Sequence, residues 1–267
     1  YRTAPGALLD SGDYTTSLDR AVADGGLDDL LSRRDAARAE GRLYGIGYSV
    51  VVEPSISNMG YITTLLSPEQ RERAGPKNGA LATATVGFDP SGAISVAVSS
   101  VPQGQGHRTV LAQVVADVFA ITPKDVSVMT EHDTAKDPWS IASGNYASRF
   151  AGAVAGATHR AAISLRDRLT LIAAADLNVP PDEVAYGAGR IFAQHNPDNA
   201  LPLGRLAAKA HWSPLSIPDG AGVGLRETAF WNMAELTEPD EGDRINSSGA
   251  YGFIFDFCGV EIDPDTF

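Results

Sequence analysis

The chain has 267 residues, 43% of them hydrophobic, and a formal net charge of −12. That length supports a sizeable core in one large domain or two smaller ones. The acidic balance excludes a nucleic-acid grip, which needs Lys and Arg to displace counterions. A single cysteine, Cys258, excludes an internal disulfide framework and a Cys-ligated zinc or iron–sulfur centre, and it fits a reducing, cytoplasmic setting. No apolar run approaches the ~20 residues of a membrane span. Tyr1-Arg-Thr-Ala-Pro-Gly6 lacks the charged start and apolar stretch of a signal peptide.

Residues 17–39 predict a helix, capped by Ser17, split at Gly25-Gly26 and closed by Gly41. Residues 43–52 are rich in β-branched and aromatic side chains and predict a strand. Residues 55–78 are irregular. Two apolar runs, 81–88 and 93–99, flank Asp89-Pro-Ser-Gly92 and predict a hairpin. In 109–119, Val110, Leu111, Val114, Val115 and Val118 fall on one helical face. A short strand at 126–129 leads into a long polar loop, 133–148, of the kind that more often carries function than not.

Residues 151–177 predict an alanine-rich helix in which Gly152 and Gly156 permit close packing. A short strand or hairpin (184–192), a short helix (203–210), an irregular Pro/Gly/acidic stretch (214–242) and a strand (250–262) complete the chain. Hairpins mixed with helices predict an α+β, or mixed α/β, fold. The expected division is 1–80, an N-terminal helix and first strand, and 81–267, a ligand-binding α/β portion. The chain begins without Met and closes on a strand followed by Asp-Pro-Asp-Thr, as a hairpin begins. A piece of a longer polypeptide is expected.

Between the hairpin and the helix lies Val101-Pro-Gln-Gly-Gln-Gly106, followed by His107 and Arg108. Glycines let backbone approach a ligand closely. Helix N-terminal N–H groups favour anions. The Gln105 amide both donates and accepts at the apex. Together these suit a polar, flat or phosphate-bearing group. The glycine spacing is neither that of a P-loop nor that of a Rossmann fingerprint. A tight turn whose Gln and His merely cap the helix is the alternative.

Several stretches in order widen the pattern. Gly104-Gln-Gly-His107 precedes Thr-Val-Leu-Ala-Gln-Val-Val-Ala-Asp. The others are Ala7-Leu-Leu-Asp-Ser-Gly-Asp-Tyr14, Gly45-Ile-Gly-Tyr-Ser-Val-Val-Val-Glu53, Asn145-Tyr-Ala-Ser-Arg149 and Val260-Glu-Ile-Asp-Pro-Asp-Thr266. The set resembles the molybdenum-binding large subunit of the xanthine dehydrogenase/aldehyde oxidase family, over essentially the whole chain.

The resemblance implies the following. Gln105 hydrogen-bonds the pterin of the molybdenum cofactor, and Gly104 and Gly106 allow close approach. His107 lies near the phosphate or nucleotide end. Ser143, Gly144, Asn145, Ser148 and Arg149 border the cofactor from the second loop. Ala147 stands where the family has glycine, and Phe150 where it has Ser or Thr. No protein side chain ligates the metal. The cofactor is expected as molybdopterin cytosine dinucleotide, in a bacterial enzyme that oxidises a C–H bond of a small molecule with water-derived oxygen. Electrons are expected to pass to iron–sulfur clusters and FAD on partner chains. The family's catalytic Glu sits in a Gly-x-Gly-Glu motif that does not occur in these residues. It is therefore assigned to the remainder of the subunit, and the isolated chain is expected to be inactive. The other class kept open is a non-catalytic binding or assembly module of the same family.

Further candidates have simpler explanations. Gly222-Val-Gly-Leu-Arg-Glu227 reads as a loop with a solvated carboxylate. Glu131-His132-Asp133 would diverge on a strand rather than converge on a metal. A Ser148–His107–Asp133 triad, as an unrelated hydrolase would need, lacks a nucleophile elbow. Cys258 is expected as a buried small hydrophobe. Trp139, Trp212 and Trp231 fall in loop-like stretches and are expected to be partly buried.

Overall fold

A computed structural model describes residues 1–9, 12–131, 133, 135 and 145–267. In chain order the elements are α1 (Tyr14–Asp24), α2 (Leu27–Ala39), β1 (Leu43–Ser57), α3 (Pro68–Ala74), β2 (Ala82–Phe88), β3 (Ile94–Val98), α4 (His107–Phe119) and β4 (Val126–Met129). Then come α5 (Ala155–Leu177), β5 (Val184–Gly187), β6 (Arg190–Ala193), β7 (Asn196–Pro202), α6 (Leu203–Trp212), β8 (Arg226–Trp231) and β9 (Ser248–Ile262). The fold is mixed α/β, as expected.

The chain forms two units, Tyr1–Asn78 with Glu235–Phe267, and Gly79–Ala234. The expected 81–267 portion is thus corrected, because its last segment belongs with the N-terminal residues. The reason is strand pairing: β9 runs antiparallel along the whole of β1, from Leu43 opposite Ile262 to Ser57 opposite Ser248.

In the first unit, Asp13 rather than Ser17 caps the leading helix, its carboxylate accepting from the Thr16 N–H at 3.0 Å. Gly25 and Gly26 separate α1 from α2, as the sequence predicts. Both helices pack on the ribbon. Phe253, Phe255 and Phe257 are half-buried on one face, while Ile254, Cys258 and Val260 are exposed on the other. Cys258 is therefore exposed, not buried as expected. It pairs with Gly47 on the side of a two-stranded ribbon turned away from the half-buried phenylalanines. The stretch 55–78 carries more structure than expected: a 3₁₀ turn, Gly60–Leu65, and α3, with a capping box between Ser67 and Gln70.

In the second unit, β2 and β3 form the predicted hairpin, Ala84 opposite Val98 to Phe88 opposite Ile94. The Asp89 carboxylate shapes its turn by accepting from the Ser91 and Ala93 N–H groups at 2.8 and 3.0 Å. β4 lies parallel to β3, so β3–α4–β4 is a crossover. The sheet order is β4-β3-β2-β8. β8 corrects the expectation of irregular chain across 214–242: it pairs antiparallel with β2, from Ala82–Trp231 to Gly87–Arg226. Helices α4 and α5 cover the sheet. Val86, Val96, Leu111, Val115, Phe119, Leu165, Leu169 and Ile172 form the core between them, each with no exposed surface. Removing them from water supplies the main stabilising term. Gly156 lies against the Trp231 ring, where an added Cβ would come within 3.3 Å. β5, β6 and β7 make a separate antiparallel sheet. No helix among the described residues is long and apolar enough to cross a membrane.

Candidate functional site

The site grows from the end of β3. The chain leaves the sheet through buried Ser99 and Ser100, then runs exposed from Val101 to Gly106. Gly104 and Gly106 have φ of 105° and 80°, which favours glycine. A Cβ on either would meet nothing within 4 Å, so both backbones border open space. Gly106 is the N-cap of α4 and no side chain caps that terminus among the described residues. The leading N–H groups and the helix dipole thus face the turn. Gln105 is exposed at the apex, and its Oε1 accepts from the Gln103 N–H at 2.6 Å. Arg108 is held away by Glu131, Nη2 to Oε1 at 2.9 Å.

His107 turns inward and is fully buried. Its Nε2 lies 2.9 Å from Ser100 Oγ, and its ring stacks on Phe150, centroids 3.8 Å apart. Burial holds its pKa below the ordinary histidine value. Nδ1 is buried without a partner among the described residues.

The second segment meets the first through Asn145. Its Oδ1 accepts from Ser100 Oγ, and its Nδ2 donates to the Val101 carbonyl. Ala147 and Ser148 then take left-handed φ of 52° and 43°, Ser148 exposed, before a π-helical turn, Phe150–Val154, leads into α5. Arg149 is fully buried. Its Nη2 donates to the Ala80 carbonyl at 2.6 Å, and its guanidinium lies 5.3 Å from the Tyr146 ring centroid. Nε and Nη1 have no partner among the described residues. Burial lowers its pKa, partly offset by Tyr146.

The structure thus brings Gly104, Gln105, Gly106, His107, Asn145, Ser148 and Arg149 into one region of the second unit. Ser143 and Gly144 lie outside the described residues, as do His132 and Trp139. Ser100 was missed, since a lone serine ahead of a turn gives no sequence signal. The Ser148–His107–Asp133 triad is not assembled, because His107 Nε2 engages Ser100 rather than Ser148. Glu227 lies on β8, not in a loop, and its carboxylate accepts from Arg168 Nη1. Trp212 is exposed and donates Nε1–H to the Pro90 carbonyl at 2.7 Å. No cluster of three or more potential metal ligands occurs among the described residues.

An open glycine turn at a helix N-terminus, with a buried guanidinium that meets no anion among the described residues, fits an anionic organic cofactor better than a bare metal ion. These features suit a cofactor-binding domain. Residues 20–267 match the molybdopterin cofactor-binding domain family, and the chain belongs to it. It is 28% identical over 261 residues to the nicotine 6-hydroxylase large subunit of Paenarthrobacter nicotinovorans, covering 98% of this chain and 29% of that protein. It is 26% identical over 272 residues to the carbon monoxide dehydrogenase large chain of Afipia carboxidovorans, covering 100% and 30%. Quinoline 2-oxidoreductase from Pseudomonas putida 86 shares the fold with a TM-score of 0.72, 24% identity, and coverage of 100% of this chain and 30% of that one. The chain spans less than a third of the length of these relatives.

Proposed function

We propose that the chain is the molybdenum-cofactor-binding part of a hydroxylating dehydrogenase. The proposed overall reaction is R–H + H₂O → R–OH + 2H⁺ + 2e⁻ on a small-molecule substrate. When bound, the cofactor would supply the two-electron redox chemistry. This chain's residues would hold it. The Gln105 amide would hydrogen-bond the pterin, with Gly104 and Gly106 letting the backbone close on it. The α4 N-terminus and Arg149 would take its anionic groups, with His107, Ser143, Gly144, Asn145 and Ser148 shaping the border. The cytosine dinucleotide form, iron–sulfur and flavin partners, a catalytic Glu from the rest of the subunit, and a bacterial cytoplasmic setting complete the proposal.

The observation that carries it is Arg149. A buried guanidinium with two nitrogens, Nε and Nη1, that meet no partner among the described residues is costly unless an anion meets it. The experiment is Gln105→Ala in the complex purified from its native host, with molybdenum measured per chain. Loss of molybdenum with an unchanged melting temperature is expected. Full molybdenum in the variant would overturn the proposal. The left-handed φ at Ala147, where the family has glycine, favours a second possibility, an assembly module without cofactor. Absence of molybdenum from the wild-type complex would select it.

A further inference from the structure

Ser100 is 1% exposed and joins two groups that no single motif connects. Its Oγ lies 2.9 Å from His107 Nε2 and 2.5 Å from Asn145 Oδ1. Asn145 Nδ2 in turn donates to the Val101 carbonyl. That last bond fixes the direction of the chain, because a backbone carbonyl oxygen can only accept. The Asn145 nitrogen therefore faces Val101 and its oxygen faces Ser100. An amide oxygen also only accepts, so the Ser100 hydroxyl proton points at Asn145. Ser100 Oγ then offers His107 only lone pairs, so His107 Nε2 carries the ring proton. Nδ1 keeps a bare lone pair. A second proton on that nitrogen would be buried with no acceptor among the described residues. The Phe150 ring stacked on the imidazole offers none either.

We infer that Ser100 is a positioning residue of the cofactor site, pinning the Gly104–His107 turn to the Asn145–Arg149 segment and fixing His107 as the neutral Nε2–H tautomer. His107 is then a post that orients the turn, and not a donor to a phosphate. The titratable and charged groups of the flanking segments do not reverse this. Arg108 pairs with Glu131, and Arg149 presents only donors on its guanidinium. The inference deepens the proposed function and rests on it for the word cofactor. The hydrogen-bond direction stands on geometry alone.

Two measurements test it. The first is ¹⁵N NMR of the histidine-labelled 267-residue chain, with His107 assigned through His107→Gln. A pyrrole-type Nε2 and a pyridine-type Nδ1 at neutral pH are expected. An Nδ1–H tautomer or an imidazolium would overturn the inference. The second compares Ser100→Ala with Ser100→Thr in the native complex. Without the hydroxyl, buried His107 and part-buried Asn145 lose their bond, so molybdenum retention should fall roughly tenfold in the alanine variant. Threonine, which keeps the hydroxyl, should restore it. Wild-type retention in Ser100→Ala would overturn the inference, as would a folded threonine variant no better than alanine. Should the alanine variant fail to fold, the NMR result on the wild-type chain decides. Full molybdenum in Gln105→Ala would sink the proposed function instead, and would leave the tautomer result standing.

Discussion

The imidazole of His107 lies nearly parallel to the ring of Phe150, at 17° and with centroids 3.8 Å apart. This contact ties the first residue of α4 to the turn that starts α5. It also buries a titratable ring, whose pKa falls below the ordinary histidine value of 6.5. The unfolded chain then binds that proton more readily than the folded one. The contribution to stability is complete above the unfolded value and is lost as pH falls through the folded value. Denaturant midpoints should therefore drop as pH falls below the ordinary histidine value of 6.5. His107→Gln should flatten that slope. An equal slope in both proteins would contradict the assignment.

Arg149 gives a prediction in which stability and binding part company. Its guanidinium has one backbone acceptor and faces the Tyr146 ring, and Nε and Nη1 have no partner among the described residues. Replacing a buried cation that has no counterion among the described residues with an apolar chain of similar length is often neutral or stabilising. Arg149→Met should leave the cofactor-free chain within about 1 kcal/mol of wild type, or above it, by denaturant titration. Molybdenum per chain in the assembled complex should fall roughly tenfold. A large loss of stability with full molybdenum would make Arg149 purely structural.

Ala147 carries a φ of 52° and is followed by Ser148 at 43°. Two successive left-handed residues without a glycine are strained. Ala147→Gly removes the Cβ conflict and should stabilise the chain by about 0.5–1 kcal/mol after glycine's entropy cost. Equilibrium unfolding of the two proteins checks the sign. A destabilised variant would mean that contacts of the alanine methyl outweigh the backbone strain.

The elements legible in the sequence are those whose signals are local. Asp89-Pro-Ser-Gly92 announces its hairpin through turn chemistry, and α4 through apolar residues on one face. β8 was hidden because Arg226–Trp231 sits in a Pro/Gly/acidic stretch and owes its strand to β2, far earlier in the chain. β7, Asn196–Pro202, is polar and is made a strand by β6. The exposure of Cys258 follows from a ribbon of only two strands, which alternation alone does not reveal. In the site, the glycine turn was legible because glycine spacing reports backbone shape. The Ser100–Asn145 bond was not, since it joins residues on separate segments.

Glu227 supplies the last test. It is the nearest carboxylate that this chain offers to a Gly-x-Gly-Glu run, yet it stands on β8 opposite Val86. Its carboxylate accepts from Arg168 Nη1, and Arg168 Nε donates to the Ala221 carbonyl at 2.6 Å. Arg168 thus ties α5 to β8 and the turn before it. A general base needs a lone pair facing the proton it removes, and a guanidinium already holds this one. Glu227→Gln keeps the shape and removes the charge. Under the proposed function, turnover of the assembled protein should stay within about twofold of wild type, because no reacting group is lost. Stability should fall by about 1 kcal/mol, since the part-buried Arg168 keeps its carbonyl partners but loses its counterion. A roughly hundredfold loss of turnover at unchanged stability would instead make Glu227 a catalytic residue.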